Sequence, residues 1–275
     1  MTRPQEREER EGGRLSVMLT AAGAEPLRRP VLRVVYPASN GELTRSLRRL
    51  LAPGGVERSD QRASGGSPWL FVTSPRAVRP VVDALAGGGY GWDGLREKGV
   101  RVAAVGHSTA GALQRAGAHV DLVPGRHSGG DLLKEFAAAF GSSNRTPLHG
   151  LRILLPRAGE ASEELPRGLR ALGASLDVVT VYSLAPDERV ADSLAQEVGT
   201  GDVDVVTLTS GSAAQAVARG MQRSGFTTGE LERHTRVVVL GPVTASAAHE
   251  LGVRVDAVAP VATFQSLVET VMAFR

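Results

Sequence analysis

Four helix starts carry the residues best suited to chemistry in this 275-residue sequence. Two read Thr-Ser, with Thr73-Ser74 in VTSPRAV and Thr209-Ser210 in LTSGSAA. Two read Gly-x-x-Thr, with Gly106 to Thr109 in GHSTAG and Gly241 to Thr244 in GPVTAS. Ser74 and Ser210 are of the type that caps a helix, and Pro75 suits a first helical position. Gly106 and Gly241 end strands and let the backbone turn closely, exposing amide N–H groups beside Thr109 and Thr244. Such helix starts attract anions through unsatisfied N–H groups and the macrodipole. Each turn taken singly is equally a plain cap that satisfies backbone donors. The set points further, because four such turns in two facing domains suit a large polyanion better than a single phosphate. Tyr182 stands at a strand exit on an interdomain crossing. Its phenol would donate a proton to a leaving group there, or would pack as a linker side chain.

Other chemistries find little support. Cysteine is absent, which removes disulfides, thiolate metal sites and a cysteine nucleophile. No G-x-G-x-x-G or G-x-x-x-x-G-K-[ST] opens a helix, and the six histidines show no ligand spacing. GHSTAG resembles a nucleophile elbow centred on Ser108, but its partner GPVTAS has Val243 at that place. The pair Glu163-Glu164 falls in a predicted helix, EASEELPRGLRAL, and reads as a solvated face. Lys98 and Lys134 are the only lysines among 32 basic residues, the net charge is +3, and 4% of residues are aromatic. With no basic block, a nucleic-acid surface is unsupported. No apolar run approaches the roughly 20 residues that span a bilayer. The charged N-terminus MTRPQEREEREGGR does not read as a signal peptide, and a cytoplasmic location is the expectation.

The elements that must hold these turns are duplicated. WLFVTSPRAVRPVVDAL (69–85) matches DVVTLTSGSAAQAVARG (204–220), and the Gly-x-x-Thr turns follow 36 and 35 residues after the first Thr of each copy. After each comes a strand, AHVDLVP or VRVDAVAP, and then an amphipathic helix. A second unit is also repeated, at 1–37 and 155–186, giving an A-B-A-B order. Arg3 to Gly23 spans 20 residues and Arg157 to Gly173 spans 16, so the first helix is expected to be about one turn longer. Strands alternating with helices indicate parallel βαβ units with right-handed crossovers. About five strands are expected for each A-plus-B pair, a flavodoxin-like sheet. Candidate linkers are VVYPASNG (34–41) and VYSLAPDE (181–188).

The ordered set of motifs resembles the uroporphyrinogen-III synthase family. It comprises TRP (2–4), VTSPRAV (72–78), AVGHSTAGALQRAGAHVDLVP (104–124), LLPRAGEASEELPRGLRALGASLDVVTVYS (154–183), TLTSGSAAQAV (207–217) and LGPVTASAAHELGV (240–253). The resemblance implies an α/β fold of two flavodoxin-like, doubly wound parallel-sheet domains joined by a two-strand linker, with a cleft between them. One domain would comprise 1–36 plus 187–275 and the other 41–182, with linkers at 37–40 and 183–186. The implied activity is a cyclising lyase of tetrapyrrole (heme) biosynthesis. Hydroxymethylbilane, with eight carboxylates, loses its terminal hydroxyl and closes with the last pyrrole ring inverted. The resemblance implies no cofactor, no metal and a monomer. Tyr182 would assist water loss, and Thr109, Thr244 and Ser210, with Thr73, Ser74, Thr209 and the amides near Gly106 and Gly241, would bind carboxylates. Arg3 and Arg157 would be further carboxylate partners. The family's apolar strand before TRP has no counterpart, since only Met1 precedes it. A noncatalytic tetrapyrrole- or anion-binding protein of the same fold is the alternative.

Overall fold

The computed structural model describes residues 5–52, 66–126, 128–140, 146–226 and 235–274, with side chains from residue 13 onward. The chain divides into two compact units, Met1–Arg33 with Ala185–Arg275, and Val34–Leu184.

The second of these units, Val34–Leu184, is built on a parallel sheet. Its strands are β2 (Trp69–Val72), β3 (Arg101–Ala104), β4 (Arg152–Ala158) and β5 (Ser175–Pro186), in the order β1-β5-β4-β2-β3, with β1 (Leu32–Val35) at one edge. The pairs β2–β3, β2–β4 and β4–β5 are parallel. Helices α2 (Gly41–Leu51), α3 (Val78–Gly87) and α5 (His107–Arg115) pack on one face, with α4 (Trp92–Glu97) beside them. Helices α6 (Gly129–Ala139) and α7 (Glu164–Ala171) cover the other. Because strand side chains alternate, Leu70 and Val72 join the α2–α3–α5 core while Trp69 and Phe71 join the α6–α7 core. Both faces are therefore apolar, which accounts for the unbroken apolar run WLFV. Phe136 stands edge-on to Trp69 and Phe71 at 4.9 and 4.8 Å, the geometry that aromatic quadrupoles favour.

The unit formed by Met1–Arg33 and Ala185–Arg275 carries a parallel sheet of β6 (Val205–Leu208), β7 (Arg236–Val239) and β8 (Ala257–Val258). Helices α8 (Glu188–Gly199), α9 (Gly211–Arg223) and α10 (Pro242–Glu250) cover one face. Helices α1 (Gln5–Ala21) and α11 (Phe264–Met272) share the other, where Leu19 meets Leu267, Val268 and Val271. Helices α8 and α9 approach closely at Gly220, where an added Cβ would lie 2.6 Å from the Ala191 carbonyl oxygen.

One local arrangement occurs in both units, 135 residues apart. Asp121 accepts from the Val102 N–H at 2.8 Å and its own N–H donates to the Val102 carbonyl. Asp256 does the same with Val237, its carboxylate accepting at 2.9 Å. Each Asp thus satisfies a strand-start donor that the next strand leaves unpaired.

Several expectations are corrected. The stretch AHVDLVP is not a full strand: its ladder contact is the single bridge Ala103–Leu122. Among the described residues the sheet of the first unit has three strands rather than five, and β6 is its edge. Helix α1 has 17 residues against 8 in α7, a difference greater than one turn. Residues 183–186 are the end of β5, and the division between the two units falls within them.

Candidate active site

In a parallel sheet a crevice opens where two neighbouring strands send their connections to opposite faces. The second unit has such a point between β2 and β4. The chain leaves β2 through a 3-10 turn (Pro75–Ala77) into α3 on one face, and leaves β4 into α7 on the other. An open hollow of ≈ 320 Å³ lies beyond these strand ends, with Thr73, Ser74, Arg157, Glu164 and Tyr182 in its lining. Four residues singled out from the sequence, Thr73, Ser74, Arg157 and Tyr182, meet there.

Ser74 is extended and its Oγ accepts from the Arg76 N–H at 3.2 Å, with Pro75 at the first helical position. The cap expected from TSP is formed, and the Ser74 hydroxyl hydrogen stays available to an acceptor in the hollow. Arg157 ends β4 and is 4% exposed. Its Nε donates to the Ala158 carbonyl at 3.2 Å and its Nη2 to the Ala161 carbonyl. Nη1 is buried and makes no aligned hydrogen bond, although Glu163 Oε1 stands 2.9 Å away as an ion-pair partner. The pair is electrostatic but poorly directed, because the guanidinium plane is already fixed by two carbonyls.

Tyr182 owes its place to a bulge. Arg157 pairs with Thr180 but Ala158 pairs with Tyr182, so Val181 is an extra residue in β5. The insertion breaks the two-residue alternation and buries consecutive side chains, Val181 and Tyr182. The Tyr182 ring lies 6.4 Å from that of Tyr36, in a tilted pair. Among the described residues no hydrogen bond engages its hydroxyl.

The other predicted residues are placed differently. Gly106 and Thr109 open α5 at the same end of the sheet, with Thr109 1% exposed, but they do not line the hollow. Gly106 and Gly241 are both extended, with φ near ±175°, so neither requires glycine for its backbone angles. Ser210 caps α9 through the Ala213 N–H at 3.2 Å, and Thr209 is exposed beside it. Gly241 caps α10, Thr244 is 7% exposed in its first turn, and Pro242 replaces a first-turn donor. The two Gly-x-x-Thr turns therefore differ in their first-turn N–H groups, since His107 keeps the donor that Pro242 lacks. A hollow of ≈ 430 Å³ in this unit is lined by Gly211, Ser212, Gln215 and Glu250, not by Ser210 or Thr244. With β6 an edge strand, this unit shows no reversal point beside Ser210 among the described residues. Arg3 lies outside the described residues.

Glu163 and Glu164, read from the sequence as a solvated helix face, also make contacts at this end of the sheet. Glu163 pairs with Arg157, and Glu164 reaches the start of α6, where a Cβ on Gly130 would lie 2.7 Å from its Oε1. Among the described residues no three His, Asp or Glu side chains converge as a metal centre. No described helix is long and apolar enough to cross a membrane.

Residues 13–269 match the uroporphyrinogen-III synthase HemD family. The chain belongs to the uroporphyrinogen-III synthase family. A relative from Methanothermobacter thermautotrophicus is 30% identical over 164 residues. The porphyrin biosynthesis protein HemD of Ruminiclostridium josui is 24% identical over 272 residues, 99% of this chain. The chain spans 61% and 47% of the length of these two curated relatives. Among solved structures, a mutant uroporphyrinogen III synthase of Thermus thermophilus superposes with a TM-score of 0.57 at 20% identity, over 96% of this chain and 94% of that one. The uroporphyrinogen-III synthetase of Helicobacter pylori gives 0.54 at 16% identity, over 92% and 94%. These likenesses establish the α/β synthase fold.

Proposed function

We propose that this synthase-family chain cyclises hydroxymethylbilane to uroporphyrinogen III, losing water and inverting the last pyrrole ring. The observation that carries the reading is the meeting of Thr73, Ser74, Arg157 and Tyr182 around one hollow at a sheet reversal point. An octacarboxylate needs cationic and hydroxyl partners, and Arg157, Ser74 and Thr73 supply them. The phenol of Tyr182 donates its proton to the terminal hydroxyl as the C–O bond breaks and water leaves. Electrons from the adjacent pyrrole nitrogen stabilise the resulting cation. The substituted ring carbon of the far pyrrole then attacks within the same molecule to give a spiro intermediate. The bond from that carbon to its original methylene bridge breaks, the unsubstituted carbon of the same ring captures the released methylene cation, and the proton lost there returns to the phenolate. The substrate supplies both electrophile and nucleophile, so the protein's larger task is orientation, which excludes the uninverted closure. This chemistry calls for no cofactor.

The finer architecture follows the same reading: two flavodoxin-like halves, supported by the Asp121 and Asp256 clamps 135 residues apart. We infer a cytoplasmic monomer, on the family's usual pattern. Following hydroxymethylbilane consumption with the purified full chain tests the activity. Loss faster than in buffer is expected, and loss at the buffer rate contradicts it.

A further inference from the structure

Two of the chain's own carboxylates stand on the anion-favouring groups of the hollow. Arg157 is 4% exposed, and main-chain carbonyls of Ala158 and Ala161 hold two of its nitrogens. Its third, Nη1, is buried without a hydrogen bond and has Glu163 Oε1 at 2.9 Å. A buried cation left without an anion is strongly destabilising, so this position calls for a carboxylate at all times. Its present partner is nonetheless loosely held: the Glu163 side chain is 53% exposed and makes no cap bond to α7. Glu164, next in sequence, places its carboxylate at the first turn of the 11-residue α6, whose N-terminal dipole favours negative charge.

We propose that Arg157 and the start of α6 form a carboxylate subsite that the loop after β4 keeps filled, Glu163 and Glu164 standing in for carboxylates of an incoming ligand. That the ligand is hydroxymethylbilane, through neighbouring acetate and propionate groups, rests on the functional reading above. The exchange is neutral in charge, since one carboxylate leaves Arg157 as another arrives. An entering carboxylate that approaches in the guanidinium plane also supplies the directed bond that Nη1 lacks. Competition by Glu163 lowers apparent affinity by the fraction of molecules in which it is bound.

The test uses the full chain and the hexacarboxylate probe mellitate, with binding measured by calorimetry. Glu163→Gln is expected to tighten mellitate binding by about 3- to 10-fold, and to lower KM for hydroxymethylbilane by a similar factor. Arg157→Gln is expected to weaken mellitate binding by at least about tenfold. Unchanged or weaker mellitate binding by Glu163→Gln would overturn the proposal, since a purely structural ion pair predicts lower stability and no gain in affinity. Tighter mellitate binding in a protein that fails to consume hydroxymethylbilane would uphold the subsite while removing the synthase reading.

Discussion

Val181 is the residue that brings Tyr182 to the hollow, by lengthening β5 against Arg157 and Ala158. If the phenol protonates the departing hydroxyl, Tyr182→Phe lowers kcat by about 100-fold, the usual size of a general-acid contribution, with KM within about twofold. Steady-state kinetics checks this, and a kcat within about threefold of the parent contradicts the role. The TSP turn and its Ser74 cap were legible because capping is local chemistry, carried by three adjacent residues. Glu163 was not legible. Its solvated-face assignment followed from helical periodicity, whereas its pairing with Arg157 depends on how the loop between them folds back.

At the scale of elements, close helix packing and the aspartate clamps are the testable features. Gly220→Ala places a methyl 2.6 Å from the Ala191 carbonyl oxygen, so α8 and α9 must separate. A loss of about 1–3 kcal/mol in urea unfolding is expected, as for other overpacked contacts. A change under about 0.3 kcal/mol would show that the helices yield freely. For Asp256, burial pushes its pKa up, but the Val237 N–H and the Arg236 and Arg254 guanidinium groups outweigh it and hold the carboxyl below its ordinary value. A depressed folded pKa means that the unfolded chain binds the proton more readily. The stabilisation is therefore full above the unfolded value of about 3.9 and is lost as pH falls through the folded value. Asp256→Asn should cost about 1–3 kcal/mol at pH 7, and that difference should shrink at the acid end of the stable range. A difference independent of pH would assign the loss to shape rather than charge. The alternation of strands and helices, and their parallel pairing, were readable from apolar runs such as WLFV and RVVV. The shortness of the AHVDLVP ladder was not, because Asp121 turns inward to bond Val102 in place of continuing the strand.

For the whole molecule, the duplicated sequence suggested two equivalent halves, and the fold makes them unequal. The hollow lies at the sheet reversal between β2 and β4, and the strand that would create a second reversal beside β6 is not among the described elements. Family membership and the gathered residues of the second unit together support ring-inverting cyclisation as the chain's chemistry. The measurement that tests this most directly is the isomer distribution of the product. Hydroxymethylbilane is incubated with the protein, the products are oxidised, and the porphyrins are separated by isomer. The account predicts type III as the dominant isomer over the spontaneous type I background. Type I alone, formed at the rate seen in buffer, would contradict it.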